Sequence, residues 1–136
     1  MKICICCSLS FTSKVKEIAK ELESLGHEVL LPNGVLIGVI RKPNFDPVAA
    51  KHDNGYDAIR EHFNKIKDSD AVLVCNYTKN DVENYIGANT FLEMGFAYYI
   101  GKPIFTINPL PDYKYINDEI LSFGVKNLDN DLTKII

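Results

Sequence analysis

Glu93 is the residue of this chain best suited to chemistry. It is the only charged residue between Asn84 and Gly101, and a lone carboxylate in an apolar segment is costly to bury unless it is hydrogen-bonded or used. Such a group can act as a nucleophile. Residues 90–93 also match a capping box, in which Glu93 would only accept a hydrogen bond from a backbone N–H. Both interpretations stay open, since a carboxylate in a first helical turn is favoured in its ionised form.

The loop before Glu93 carries amide, phenol and hydroxyl groups but no further charge. Such groups suit hydrogen bonds to the hydroxyls of a sugar, although a turn followed by a helix N-cap would use the same residue types. The candidate contacts in this loop are Tyr85, Gly87, Asn89 and Thr90.

A second polar segment, residues 8–13, follows the first apolar run of the chain. Hydroxyl groups and free backbone N–H groups at a helix start can hold an anion such as a phosphate. Ser8 and Ser10 are therefore candidate ligand contacts, and Thr12 or Ser13 is the predicted cap of the helix. The segment lacks the glycines of a P-loop or of a dinucleotide fingerprint, which excludes those motifs.

Neither the histidines nor the cysteines show the spacing of a known metal site. His62 lies beside the apolar stripe of a predicted helix, where it is either a boundary residue or a proton donor and orienting group. Cys4 and Cys7 formally make a C-x-x-C pair, but they fall inside a predicted strand rather than at a helix start. The cysteines are therefore predicted to be small buried apolar residues, and we expect no metal and no redox cofactor.

Composition is that of an ordinary globular protein. The 136 residues predict a single domain over residues 1–136. A hydrophobic share of 46% and a charged share of 24% exclude a disordered or coiled-coil chain. No apolar run approaches the length of a membrane span, and a net charge of −3 with interspersed signs offers nothing to nucleic acid. The four cysteines, with no signal peptide before them, predict a reducing cytoplasmic location.

Alternating strand and helix patterns define the elements that must position these residues. Apolar runs predict strands at residues 2–7, 28–31, 71–75, 104–107 and 125–128. Apolar stripes at helical spacing predict a helix that ends at Gly26 and further helices at residues 57–67, 90–100 and 113–122. The helix at 90–100 is apolar almost all round and is predicted to be buried.

This alternation implies a parallel sheet with helices on both faces. Ligands in such folds bind beyond the carboxyl ends of the strands. Asn76 and Asn108, which follow the third and fourth strands, are therefore further candidate contacts.

The stretch from residue 35 to residue 56 is the least regular. It opens with an apolar run, residues 35–40, that predicts self-association because such a patch rarely stays exposed. Residues 32–34 before it predict a turn, and Asp46 followed by Pro47 predicts the start of a short helix. Excursions of this length often form lids or contact partners.

Three segments carry a family pattern. They are residues 70–74, then Gly87-x-Asn89-Thr90-x-x-Glu93-x-Gly95-x-Ala97, then residues 101–104, and residues 2–10 add a first strand and loop. Together they resemble the nucleoside 2-deoxyribosyltransferase superfamily, which includes the 2′-deoxynucleoside 5′-phosphate N-hydrolases. The resemblance implies a flavodoxin-like three-layer α/β fold with a parallel five-stranded sheet in the order 2-1-3-4-5. It also implies that Glu93 is a nucleophile attacking the anomeric carbon of a nucleoside, and that the chain forms homo-oligomers.

The chain departs from that pattern at three positions. Gly87 stands where the transferases carry an aspartate and the N-hydrolases often a serine. His62 stands where the superfamily has a second carboxylate, and Cys7-Ser8 replaces the Gly-Ser of the first loop.

Three hypotheses about function result, the third of which is a structural or interaction protein with the apolar run of residues 35–40 as an oligomer interface. The first is an enzyme, an N-glycosidase or deoxyribosyltransferase that works on a small-molecule nucleoside or its 5′-monophosphate through a covalent glycosyl intermediate on Glu93. The alternative is a non-catalytic module of the same fold that binds or senses a nucleotide.

Overall fold

A computed structural model describes residues 1–37, 46, 48 and 57–136. Within them five parallel strands form one sheet in the order β2-β1-β3-β4-β5. The strands are β1 (Lys2–Cys6), β2 (Glu28–Leu30), β3 (Ala71–Val74), β4 (Ile104–Thr106) and β5 (Lys126–Asn127). The helices are α1 (Thr12–Ser24), α2 (Asn33–Ile37), α3 (Ala58–Lys67), α4 (Ala88–Tyr99) and α5 (Asn117–Ser122), with 3₁₀ helices at Leu9–Phe11 and Leu132–Lys134. The predicted flavodoxin-like α/β fold and its strand order are confirmed.

Alternation along β1 sorts its side chains into two layers of core. Ile3 and Ile5 pack with α1, α2 and the C-terminal 3₁₀ helix, whereas Cys4 and Cys6 pack with α3, α4 and α5. Successive strand residues point to opposite faces, and the crossovers of a parallel sheet place helices on each side. Cys7 packs with the layer of Ile3, so the formal C-x-x-C pair is divided between the two layers.

The register brings the ends of the central strands together. Cys6, the last residue of β1, pairs with Val74 at the end of β3, and Val74 pairs with Thr106 at the end of β4. The loops after these three strands therefore leave from one edge of the sheet, where ligands bind in such folds.

The start of α1 differs from the prediction. A 3₁₀ turn precedes this helix, and Ser8 caps that turn, its Oγ accepting a hydrogen bond from the backbone N of Ser10 at 3.4 Å. Thr12 Oγ1 instead donates to the carbonyl of Leu9 at 2.7 Å. The predicted cap at Thr12 or Ser13 is therefore wrong, because the chain already begins to turn at Leu9, before the predicted position.

Other element boundaries are also corrected. Residues 32–34 do not form a turn, because α2 begins at Asn33. The helix predicted over 113–122 is shortened to α5, and the hydroxyl of Tyr113 instead accepts a hydrogen bond from the backbone N of Ile86 at 3.3 Å. The predicted strand at 125–128 is shortened to the two residues of β5.

Helix α4 is not buried all round as predicted. Its exposed side carries Leu92, Tyr98 and Tyr99, the last with 86% of its surface accessible. Tyrosine tolerates such positions because its hydroxyl can reach water while its ring covers neighbouring apolar atoms. No described helix, α4 included, is long and apolar enough to cross a membrane.

Part of the irregular stretch lies within the described residues. Val35 is fully buried in the core while Leu36 is exposed, so the start of the run at 35–40 is not one exposed patch. Asp46 Oδ1 accepts a hydrogen bond from the backbone N of Val48 at 2.9 Å, as expected of a helix cap. The remaining predictions for this stretch fall on residues 38–45, 47 and 49–56, outside the described residues.

Candidate active site

His62 on α3 and Glu93 on α4 meet between these helices and β1. Nε2 of His62 lies 3.1 Å from Oε2 of Glu93, and only 7% and 5% of the two residues is exposed. Asn89, one turn earlier on α4, donates from Nδ2 to Oε1 of Glu93 at 2.6 Å. Nε2 also lies 3.5 Å from Sγ of Cys6, which places the pair beside the carboxyl end of β1.

Helix α3 is held so that His62 faces inward. Its first turn is capped by Asp57, whose Oδ1 accepts a hydrogen bond from the backbone N of Arg60 at 3.0 Å. The ring of Phe63 stacks on Phe96 of α4, with 4.5 Å between centroids and 4° between planes. The cap and the ring stack together fix the face of α3 that carries His62.

The capping-box interpretation of Glu93 is wrong. Gly87 is the N-cap of α4, so Thr90 is the third residue of the helix and Glu93 the sixth. Thr90 is buried, and Glu93 accepts from the side chain of Asn89 rather than from a backbone N–H at the helix start. The helix dipole acts most strongly within the first turn of a helix. Glu93 lies beyond that turn.

Two thiols complete the surroundings of His62. Sγ of Cys4 lies 3.6 Å from Nε2 and Sγ of Cys6 lies 3.5 Å from it. The signal in the sequence was the i, i+2 spacing of these cysteines, which places both on one face of a strand. Sequence reasoning weighed the C-x-x-C spacing instead and missed this cluster. Folding thus assembles a donor set that can bind a metal ion, although the linear spacing shows no metal motif.

The members of this cluster shift one another's protonation. The hydrogen bond from Cys6 lowers the pKa of the Cys4 thiol against the opposing effect of burial, and His62 lowers it further, to about 6. Burial lowers the pKa of His62, but the contacts with Cys4 and Glu93 outweigh it and raise this pKa to about 10. Burial raises the pKa of Cys6 well above its ordinary value. The cluster therefore favours a protonated imidazole beside the thiolate of Cys4.

Ser8 and Ser10 lie at the same edge of the sheet beside two cations. Lys79, in the loop after β3, donates from Nζ to Oγ of Ser8 at 3.1 Å. Its ammonium also lies 4.9 Å from the centroid of the Tyr85 ring. Ser10, Lys14 and Lys79 line a cavity of about 330 Å³. Sequence reasoning missed both lysines, because the loop that holds Lys79 contains no motif and Lys14 lies within the first helix, α1.

Asn76 and Asn108 tie the ends of β3 and β4 to each other. Nδ2 of Asn76 donates to the carbonyls of Asn108 and Pro109 at 3.0 and 2.9 Å, and its Oδ1 accepts from the backbone N of Asn108 at 3.0 Å. Asn108 Nδ2 donates back to the carbonyl of Asn76 at 3.1 Å. These amides shape the edge of the sheet, and their contact with a ligand stays a prediction.

Gly87 and Tyr85 share one space at the start of α4. A β-carbon at Gly87 would lie 3.1 Å from Oη of Tyr85, so the phenol takes the room that a side chain at this position would need. Gly87 also adjoins a cavity of about 230 Å³ lined by Phe91 and Tyr113. Glu93 lines neither this cavity nor the one beside Ser10.

A parallel five-stranded sheet in this order, with polar side chains at its carboxyl edge, is the architecture of flavodoxin-like α/β proteins. Two solved structures share this fold. The 2-deoxyribosyltransferase of Bacillus psychrosaccharolyticus matches with a TM-score of 0.51 at 20% identity, over 87% of this chain and 81% of that protein. The CMP N-glycosidase BcmB of Clostridium botulinum matches with a TM-score of 0.54 at 15% identity, over 93% of this chain and 87% of that protein.

The resemblance drawn from the sequence is thereby confirmed at the level of the fold. No protein-family model matches the chain, and no curated protein matches it either.

Proposed function

We propose that this chain cleaves or transfers the N-glycosidic bond of a nucleoside or nucleoside 5′-monophosphate, with Glu93 as the nucleophile. The pairing of a buried carboxylate with the imidazole of His62, beside the carboxyl end of β1, carries this proposal. The fold shared with a 2-deoxyribosyltransferase and a CMP N-glycosidase supports it. Glycosyl transfer passes through an oxocarbenium-like transition state, which a nearby carboxylate both stabilises and traps.

The reaction takes two steps. An oxygen of Glu93 forms an ester bond to the anomeric carbon, while the C–N bond breaks and its electron pair leaves with the base nitrogen, which takes a proton from solvent. In the second step a water molecule attacks the same carbon and loses a proton, and the ester bond breaks to restore the carboxylate. A second base in place of water gives transfer instead of hydrolysis. In both steps His62 and Asn89 hold the carboxylate in its orientation.

The cavity beside Ser10 is the proposed site of a 5′-phosphate. Lys14 and Lys79 supply positive charge next to the hydroxyls of Ser8 and Ser10. Lysine binds phosphate as a point charge, and such charge-assisted hydrogen bonds are stronger than neutral ones. This favours a nucleoside 5′-monophosphate over the free nucleoside as the preferred substrate.

Tyr85 is the proposed sugar contact in place of the side chain that Gly87 lacks. We expect Tyr85→Phe to lower kcat/KM by about 3–10-fold, which corresponds to one net hydrogen bond of roughly 0.5–1.5 kcal/mol. The measurement is initial-rate kinetics on the preferred substrate, with Tyr99→Phe, an exposed tyrosine that lines neither cavity, as the matched control. Equal kinetics in Tyr85→Phe and wild type would remove Tyr85 from the site.

Glu93→Gln tests the nucleophile directly. Chromatography measures the free base released from a panel of ribo- and deoxyribonucleosides and their 5′-monophosphates, with and without an acceptor base. We expect a loss of at least about 10³-fold, as when other catalytic nucleophiles are removed. Glu83→Gln, on the exposed loop after β3, should keep full activity.

The covalent intermediate has its own readout. Intact-protein mass spectrometry after rapid quenching should show a sugar adduct on the wild type and none on Glu93→Gln. Undiminished base release by a folded Glu93→Gln would refute the proposed nucleophile.

A nucleotide-sensing module is the second candidate function. The observation that favours it is that Glu93 is 5% exposed and lines neither of the two cavities described above. Saturable binding of a nucleoside monophosphate with no base release across the panel would select this function instead.

We also propose that the chain associates with itself. The support is the exposed apolar side of α4, formed by Leu92, Tyr98 and Tyr99, since large exposed apolar patches mark interfaces. Light scattering over a range of concentrations tests this, and a monomer throughout that range would contradict it.

A further inference from the structure

We propose that Cys4, Cys6, His62 and Glu93 form a buried binding site for a divalent cation of the zinc type. Sγ of Cys4, Sγ of Cys6 and a ring nitrogen of His62 all lie within 4.8 Å of one another. Oε2 of Glu93 lies 3.1 Å from Nε2 of the same imidazole. Two thiols, one imidazole and one carboxylate make a set of four donors that suits Zn²⁺, which binds sulfur, nitrogen and oxygen with tetrahedral geometry.

The distances from Nε2 of His62 to the other donors agree with a tetrahedral site. Glu93 is not among the donors that all lie within 4.8 Å of one another, so its carboxylate must shift toward the thiols to complete the tetrahedron. Zinc–ligand bonds of about 2.3 Å to sulfur and about 2.0–2.1 Å to nitrogen and oxygen place neighbouring donors roughly 3.3–3.8 Å apart. Nε2 of His62 lies 3.6 Å from Sγ of Cys4, 3.5 Å from Sγ of Cys6 and 3.1 Å from Oε2 of Glu93. Three edges of the donor set therefore have the length that a bound zinc ion requires, to within a few tenths of an ångström.

Hydrogen bonding among these side chains leaves one acceptor unsatisfied. The single N–H on Nε2 of His62 cannot point at two sulfurs and a carboxylate oxygen at once. Oε2 of Glu93 is buried and lies 3.1 Å from Nε2 as an ion pair, but no described residue gives it an aligned hydrogen bond. A buried acceptor without a partner costs free energy. A cation bound by all four side chains would remove this cost.

Binding of the cation would compete with glycosidic chemistry, a consequence that rests on the proposed function. A carboxylate oxygen bound to a metal ion is not free to attack an anomeric carbon. His62 would also be engaged through Nε2, the atom that faces Glu93. The metal-free chain would then be the active form, and zinc would inhibit it.

The test is a titration of the metal-free full-length protein with Zn²⁺ in competition with a chromophoric chelator. We expect one zinc per chain for the wild type. Cys4→Ala and Cys6→Ala should each lose more than about 100-fold in affinity, since even outer-sphere changes cost 10–100-fold. Cys7→Ala is the matched control, because Cys7 packs on the opposite face of the sheet; it should bind zinc as the wild type does.

Co²⁺ gives a readout that needs no variant to fold. In the wild type it should show the intense visible bands of a tetrahedral site and a thiolate-to-cobalt charge-transfer band. No stoichiometric zinc binding, a cobalt spectrum without thiolate character, or equal affinity in Cys6→Ala and wild type would each overturn the site. Zinc binding is measured without substrate, so its failure and a failure of base release are separate results.

Discussion

The two faces of β1 carry opposite kinds of core. On one face Ile3 and Ile5 pack with the apolar side of α1, in a buried cluster that is aliphatic and aromatic apart from the thiol of Cys75. On the other face Cys4 and Cys6 meet the imidazole of His62 and, through it, a carboxylate. A single strand of five residues therefore separates a mainly aliphatic core from one that holds a paired imidazole and carboxylate.

This difference shows which face of β1 buries polar groups at a cost in folding free energy. Burying an imidazole and a carboxylate is unfavourable unless they are paired and hydrogen-bonded. The all-apolar face gains stability from burial alone and can offset that cost. We therefore expect substitutions on the apolar face to change stability, and substitutions on the polar face to change activity.

After Glu93, whose replacement is expected to cost at least about 10³-fold, the largest effect on the polar face should come from His62. His62→Ala should lower kcat by about 10²-fold or more, the usual contribution of a positioned proton-transferring or orienting group, and should leave KM nearly unchanged. His62→Gln should restore part of kcat, because its side-chain amide can still donate to Oε2 of Glu93. Steady-state kinetics of the two variants checks this. Equal losses in both, together with a raised KM, would mean that position 62 only fills space.

Ile5→Ala tests the apolar face. We expect it to lower the free energy of unfolding by about 2–5 kcal/mol, through lost burial and the cavity that remains. Ile5→Val is the graded control and should cost about 0.5–1.5 kcal/mol. Urea unfolding gives both values, and base release per folded molecule should not change in either variant. A loss of specific activity in Ile5→Val would break the division between the two faces.

Sequence periodicity was sufficient for the strands, the helices and a parallel sheet, whereas the strand order came from the family resemblance. The apolar run of β1 and the apolar stripes on α1 and α3 predict these elements, because such patterns directly reflect which parts of an element are buried. Boundaries were less predictable where a distant contact decides them. The hydroxyl of Tyr113 accepts a hydrogen bond from the backbone N of Ile86. The local sequence pattern does not predict that the segment before α5 leaves the helix to make this contact.

Only part of the candidate site could be predicted from the sequence. Glu93 could be found because a lone charge in an apolar helix is conspicuous within a few residues of sequence. The cluster around it could not, because His62 is 58 residues from Cys4 and meets it only after α3 packs on the sheet. The capping-box prediction failed for a related reason, since Gly87 caps α4 without a side chain and the pattern of residues 90–93 was coincidental.

The smallest effect should come from Asp57, which caps the helix that carries His62. Its Oδ1 accepts from the backbone N of Arg60 at 3.0 Å, while its 2.8 Å ion pair with the exposed Arg60 guanidinium adds little. Asp57→Ala should lower the free energy of unfolding by about 1 kcal/mol, whereas Asp57→Asn, which keeps the cap, should stay close to wild type. Activity should change little, because the stack of Phe63 on Phe96 still holds α3 against α4. A fall in kcat as large as that of His62→Ala would instead show that the start of α3, and not its packing, sets the position of the imidazole.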